Sequence, residues 1–177
     1  MKNLLFIGGI HGVGKGTICK SLAKTWDLIH ITASEVLKWE EISKKEEKIV
    51  KDFQFTQNRL INNLQNIMVD DKTYLLDGHY CLLNKEGIPE KIGFDTFANL
   101  QPKAFIIVTE NVNIIKERLD LRDNTYYDIE ILNKFQVLEF DYSLELSKTL
   151  NIPHIAVESG NFIELNLFLS NEGFTRH

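Results

Sequence analysis

Cysteine is scarce: Cys19 and Cys81 are the only two in 177 residues. A pair so far apart supplies neither a disulfide framework nor the close spacings of a zinc site, and points to a reducing compartment. Positive charge is not in excess either. With 20 Lys+Arg against 25 Asp+Glu and a formal net charge of -5, the chain carries no electrostatic footprint for DNA or RNA beyond a local basic patch. No apolar run approaches the roughly 18 residues of a membrane span. Lys2 before Leu4-Leu5-Phe6-Ile7 imitates the opening of a signal peptide, but the run ends in glycines and no small-residue cleavage site follows. There is no internal repeat and no low-complexity tract. These absences leave a soluble, cytoplasmic protein as the expectation. What is present, 44% hydrophobic and 25% charged residues, fits one globular domain over 1–177 with a sizeable core.

The glycines belong to Gly9-Ile10-His11-Gly12-Val13-Gly14-Lys15-Gly16-Thr17. Glycine lets successive backbone N–H groups turn toward one anion without Cβ clashes, and a helix starting near Lys15 adds its positive dipole end. Lys15 supplies a full charge for the β and γ phosphates. The segment therefore predicts a phosphate-binding loop with a nucleoside triphosphate, ATP, as ligand and Mg²⁺ as its companion. Its binding residues are Gly9, His11, Gly12, Val13, Gly14, Lys15, Gly16 and Thr17. A turn that merely joins strand to helix explains neither Lys15 nor so many glycines. Because Gly16 separates Lys15 from the first hydroxyl, Thr17 is a metal candidate only at one remove.

Apolar runs of strand length, Leu4 to Ile7, Leu28 to Ile31, Tyr74 to Leu76, Ala104 to Val108 and His154 to Val157, alternate with helical periodicity. That alternation predicts an α/β fold, a five-stranded parallel sheet with helices on both faces. Ile18, Leu22 and Trp26 mark the first helix, and Phe53, Leu60, Leu64 and Ile67 another. Tyr127, Ile131, Phe135, Leu138, Tyr142 and Leu146 form the apolar stripe of the longest, from Tyr127 to about Leu150. Between 40 and 51, Glu and Lys pair at i, i+4, the pattern of a solvated helix face.

Asp77 stands at the carboxyl end of the third run, where open α/β sheets bind ligands, and its carboxylate can orient magnesium-bound water. A turn residue ahead of Gly78 is the other reading. Arg118 and Arg122 lie four apart on one helix face. Like charges at that spacing repel unless an anion lies between them, and guanidinium forks suit a transferring phosphoryl group. The alternative is a surface pair neutralised by Asp120 and Asp123.

The run Gly-Gly-x-x-Gly-x-Gly-Lys-Gly-Thr resembles the loop of adenylate kinases and other nucleoside monophosphate kinases, in which proline is usual at the place of His11. Asp77-Gly78-His79 is similar to the Asp-x-His of compact archaeal adenylate kinases and of adenylate-kinase-like ATPases of ribosome assembly. The resemblance continues in register through most of the chain. It implies a P-loop kinase fold with strand order 2-3-1-4-5, a helical acceptor flap over about 32–70 and a short lid over about 120–130. It also implies catalytic roles for Lys15, Asp77, His79, Arg118 and Arg122, a metal held by phosphates, water, Thr17 and Asp77, and an adenine loop near Gly160. Arg118 would also contact ATP, and Lys134 falls where a further basic residue is common. For His79 a structural hydrogen-bonding role is the alternative to water positioning.

The acceptor side departs from that family. Where common bacterial adenylate kinases read Asp-Gly-Phe-Pro-Arg, this chain reads Asp77-Gly78-His79-Tyr80-Cys81, without the arginine. Lys38 replaces another phosphate-binding arginine, and a lysine cannot reproduce a bidentate grip. Thr32, Lys38, Arg59 and His79 are the acceptor candidates, Arg59 through a Thr-Gln-x-Arg stretch like that of archaeal-type enzymes. The first expectation is transfer from Mg-ATP to a nucleoside monophosphate. The alternatives are an ATPase switch acting on a protein or RNP partner, and a kinase of a non-nucleotide alcohol.

Overall fold

A computed structural model describes residues 3–37 and 53–177. Strand β1 (Leu4–Gly8) is buried along its whole length and pairs in parallel with β3 (Tyr74–Asp77) on one side and β6 (Ala104–Thr109) on the other. Strand β2 (Ile29–Thr32) adds outside β3, and β7 (His154–Glu158) outside β6. The order β2-β3-β1-β6-β7 is the expected 2-3-1-4-5 once the two small strands β4 (Cys81–Leu83) and β5 (Pro89–Lys91) are set aside. Central strands of a parallel sheet are covered on both faces, which is why Leu-Leu-Phe-Ile and Phe-Ile-Ile-Val are continuous apolar runs. The edge strand β2 is only partly buried.

The helices are α1 (Lys15–Thr25), α2 (Ala33–Leu37), α3 (Phe53–Ile67), α4 (Phe94–Leu100), α5 (Val112–Asp123), α6 (Ile129–Leu150) and α7 (Phe162–Asn171). Among the described residues, no helix is long and apolar enough to cross a membrane. Helix α1 ends one residue before Trp26, whose indole donates to Asn166 Oδ1 at 2.7 Å and so ties the end of α1 to α7. Asn63 Nδ2 donates to the Val36 carbonyl at 2.7 Å and holds α3 to α2. Lys38 and the charge run of 40–51 lie outside the described residues.

Two sequence expectations need correction. The hairpin β4–β5 and helix α4 were not expected, because strands of three residues are too short to carry a period. Their turn is local chemistry: Asn84 Oδ1 accepts from the N–H groups of Glu86 and Ile88. The stripe of α6 is also shifted. Leu132, Phe135, Glu139, Tyr142, Ser143 and Leu146 face inward, whereas Ile131 is 42% exposed, Tyr127 precedes the helix and Leu138 is half-buried. Asp128 caps α6 by accepting from Glu130 and Ile131 N–H, which sets the start at Ile129. Two polar residues, Glu139 and Ser143, sit in the buried face, so a purely apolar stripe misplaces it.

Phe6, Tyr80, Phe97 and Phe105 pack ring to ring under β1, with centroids 4.9 to 6.2 Å apart. Tyr80 also donates its hydroxyl to the Ile106 carbonyl at 3.1 Å. A Cβ at Gly8 would stand 2.3 Å from the Tyr80 ring, so the core needs glycine there. This cluster fixes the segment after β3 against the strand that delivers the glycine loop.

Candidate active site

The glycine loop runs from the end of β1 to the first turn of α1. Gly9, Gly12 and Gly14 take φ values of 142°, 79° and 103°, a region that favours glycine. A Cβ would also meet the Val108 carbonyl oxygen at 2.6 Å from Gly9 and Leu119 Cγ at 2.8 Å from Gly12. Thus β6 and α5 press on the loop from outside. Gly16 differs, since nothing lies within 4 Å of its absent Cβ. Lys15, 8% exposed, donates through Nζ to the Gly9 carbonyl at 2.6 Å and lies 3.9 Å from Asp77 Oδ1. Burial lowers its pKa, and Asp77 and Glu139 oppose that shift.

Beside the loop is a cleft of about 430 Å³ whose lining includes His11, Lys15, Thr17, Lys20, Asp77, Arg118 and Arg122. Four cations against one carboxylate make it a site for anions. The two arginines are used differently. Arg118 reaches across the loop, donating to the Gly12 carbonyl at 3.2 Å and to Glu110 Oε2 at 3.0 Å. Arg122 is held by Asp123 through two hydrogen bonds of 2.7 Å, and Tyr127 donates to the same carboxylate at 2.6 Å. Asp120, the other neutralising candidate, pairs instead with Lys116.

Asp77 extends β3 one residue beyond the expected strand, in register with Ile7 and Thr32. Burial raises its pKa, and Lys15 and His30 oppose the shift. A carboxylate at the cleft floor and the Thr17 hydroxyl at its wall are hard oxygen donors, so the residues fit Mg²⁺ held partly through water.

His79 is not among the residues lining the cleft. It lies behind the loop, with its ring 4.4 Å from that of His11 and Nδ1 3.4 Å from Glu139 Oε1. Glu139, fully buried on α6, accepts from the N–H groups of Tyr80 and Cys81 at 3.0 Å each. Burial pushes its carboxyl up to about 7, and burial followed by the Lys15 charge pushes His79 down to about 3. In so dry a place a neutral pair is favoured over an ion pair. Sequence reasoning missed Glu139, Glu110 and Lys20. A carboxylate inside an apolar helical stripe is the signal that could have found the first.

The remaining candidates stand farther off. Thr32 ends β2 beside Asp77, where its hydroxyl donates to Glu35 Oε2 at 2.8 Å. Arg59 is on α3, half-buried, and Lys38 is outside the described residues. Gly160 is exposed past the end of β7, while its neighbour Ser159 would meet a Cβ on Gly14 at 2.5 Å. Lys134 is exposed on α6 and away from the cleft lining.

A family model described as an AAA domain matches residues 8–133, well over half of the chain and all of the loop from Gly9 to Thr17. The chain belongs to that family. Within it, this AAA domain has the architecture of the P-loop kinases. It is similar to a gluconokinase from Sinorhizobium meliloti 1021, with 14% identity, a TM-score of 0.54, and 96% of this chain and 89% of that one covered. It is also similar to the Deinococcus radiodurans tunicamycin resistance protein, with 12% identity, a TM-score of 0.59, and 99% and 98% covered. At such identities the likeness concerns the fold. No curated protein matches the chain. Neither neighbour is an adenylate kinase, so the family assignment is broader than the resemblance that the loop and Asp-x-His suggested.

Proposed function

We propose that the chain is a Mg-ATP-dependent phosphotransferase, with a nucleoside monophosphate as the first acceptor to consider. The observation that carries this reading is Lys15, buried at the loop mouth beside Asp77, with Arg118 laid across the same loop. In the reaction the bond from the γ phosphorus to the bridging oxygen of ATP breaks and a bond to an acceptor oxygen forms; a monophosphate attacks through an oxygen that is already ionised, whereas a hydroxyl acceptor would pass its proton to water or a neighbouring carboxylate. Charge spreads over the transferred oxygens, so cations in fixed positions are the main catalytic resource. Lys15 and Arg118 are held in place by the loop carbonyls, and Arg122 would join them on leaving Asp123. Bound magnesium would neutralise phosphate charge, with Asp77 and Thr17 as its protein partners.

A second reading, a hydroxyl-bearing small molecule as acceptor, is favoured by the chemistry beside Asp77. Hydrogen bonds from the Thr32 hydroxyl and N–H lower the Glu35 pKa, so a carboxylate sits next to the acceptor side. That charge repels a phosphate but accepts a hydroxyl hydrogen bond. The gluconokinase neighbour is named for a substrate of this kind.

The test is an acceptor screen with Mg-ATP: AMP, CMP, UMP, GMP and dAMP, then gluconate and other polyhydroxylated compounds. ADP formation that depends on one class assigns the acceptor. ADP formation that ignores every acceptor would instead favour the ATPase switch, and no ADP at all would sink the phosphotransferase reading.

A further inference from the structure

Three donor atoms of different elements converge at the cleft floor: Sγ of Cys19 on α1, an imidazole nitrogen of His30 on β2 and a carboxylate oxygen of Asp77 on β3. We propose that they form a binding site for a thiophilic divalent cation, zinc above all, separate from the magnesium that accompanies ATP. The three atoms lie within 4.8 Å of one another, and His30 Nε2 is 3.8 Å from Asp77 Oδ2. Tetrahedral zinc, with bonds of about 2.3 Å to sulfur and about 2.0–2.1 Å to nitrogen and oxygen, sets ligand separations of roughly 3.3–3.6 Å. Closing the gap needs shifts on the order of an ångström, within the reach of side-chain rotation.

His30 Nε2 is buried and has no hydrogen-bond partner among the described residues. Cys19 is fully buried, and the thiol is a weak donor with little to offer its neighbours. A buried polar atom is costly unless paired, so the unpartnered His30 nitrogen beside a buried thiol and a carboxylate suits a shared cation. The two oxygens of Asp77 are also divided: Oδ1 faces Lys15 and Oδ2 faces His30. The lysine charge therefore does not occupy the oxygen that the cation needs. Sulfur with imidazole selects zinc over magnesium, which takes oxygen ligands and keeps its water. Asp77 lines the cleft and gives the ion a way in.

A cation there would draw Asp77 away from magnesium-bound water, so zinc would inhibit turnover. That consequence rests on the phosphotransferase reading; the binding itself does not. The thiol would release its proton to solvent as the metal–sulfur bond forms.

Metal-free protein without nucleotide, titrated with cobalt(II), tests the site. The expected result is a thiolate-to-cobalt charge-transfer band that one equivalent of zinc removes. Cys19→Ser should abolish the band, His30→Gln should weaken cobalt binding at least tenfold, and Cys81→Ser should leave both unchanged. Cys19→Ala serves as a second variant if the serine form loses its circular dichroism. No band in the native protein, or a band that survives at Cys19→Ser and Cys19→Ala, overturns the proposal. In the turnover assay, zinc should inhibit the native protein at concentrations at least tenfold below those needed for Cys19→Ser. Equal sensitivity of the two would overturn the link to Asp77. A protein that shows the cobalt band but forms no ADP would sink the phosphotransferase reading and leave the metal site standing.

Discussion

At the glycine loop, three residues with positive φ, two carbonyl contacts to Lys15 and an arginine from α5 hold a shape made mostly of backbone. Two strands away, at the end of β2, the surface is made of side chains: half-buried Thr32 bonds to the exposed Ser34 and Glu35. The first region presents N–H groups and fixed cations, which suit any phosphate tail. The second presents hydroxyls and a carboxylate on a half-covered edge strand, and so selects by side-chain chemistry. If the proposed phosphotransferase reading holds, donor recognition is a property of main-chain geometry, whereas acceptor recognition can change with few substitutions.

The largest effect should come from removing the cation of the backbone-built side. Lys15→Ala is expected to lower kcat by about 10²–10³-fold, the loss typical of one electrostatic group at a transition state, with the circular dichroism spectrum unchanged. Activity within a few-fold of native would break the contrast, because the loop would then not be where charge develops.

Next in size are the glycines. Gly9→Ala and Gly12→Ala should each cost about 1–3 kcal/mol in urea denaturation and weaken ATP binding, because each new Cβ meets a close neighbour in a positive-φ conformation. Gly16→Ala meets nothing within 4 Å and sits inside α1, so it should be neutral or stabilise by up to about 1 kcal/mol. Equal losses at all three positions would mean that packing on the loop does not set its shape.

A third test concerns the neutral pair behind the loop. His79 has its pKa lowered to about 3 from 6.5, so its contribution to stability is present above pH 6.5 and is lost as pH falls toward about 3. Glu139 has its pKa raised from 4.5 to about 7, so its contribution is present below pH 4.5 and is lost as pH rises toward about 7. Between about pH 4.5 and 6.5 the two slopes oppose, each near 1.4 kcal/mol per pH unit. His79→Asn should therefore make stability rise less steeply with pH than in the native protein, and Glu139→Gln more steeply. Urea midpoints across that range check the signs.

The smallest effect belongs to the side-chain-built region. Glu35→Gln should change stability by less than about 0.5 kcal/mol, as exposed substitutions do, while altering KM for the acceptor several-fold and leaving KM for ATP unchanged. If a phosphate is the acceptor, its KM should fall; if a hydroxyl, it should rise. A change in KM for ATP alone would show that the two regions are not separate.

How much of this was legible beforehand varies with the range of the interaction. The loop could be read because its glycines, lysine and following helix are consecutive, and local backbone geometry follows from local residues. Asp77 could be placed because a strand end is a local feature. Helical spacing puts Glu139 in the stripe with Phe135, Tyr142 and Leu146 but could not show what satisfies its carboxylate, because the N–H groups of Tyr80 and Cys81 come from a distant segment. The hydrophobic rule even favoured Leu138 over it. For Arg118 and Arg122 the sequence offered a phosphoryl grip or neutralisation by Asp120 and Asp123; Arg122 pairs with Asp123, whereas Arg118 pairs with Glu110, a partner the sequence did not offer.

The order of residues by itself determined the glycine loop and the alternation of strands and helices, because each depends on neighbours along the chain. Tertiary structure alone decided that Glu139 meets His79, that Arg118 spans the loop, and that Cys19, His30 and Asp77 share one point. Those side chains come from separate strands and helices, and only the packing of the sheet brings them within reach of one another.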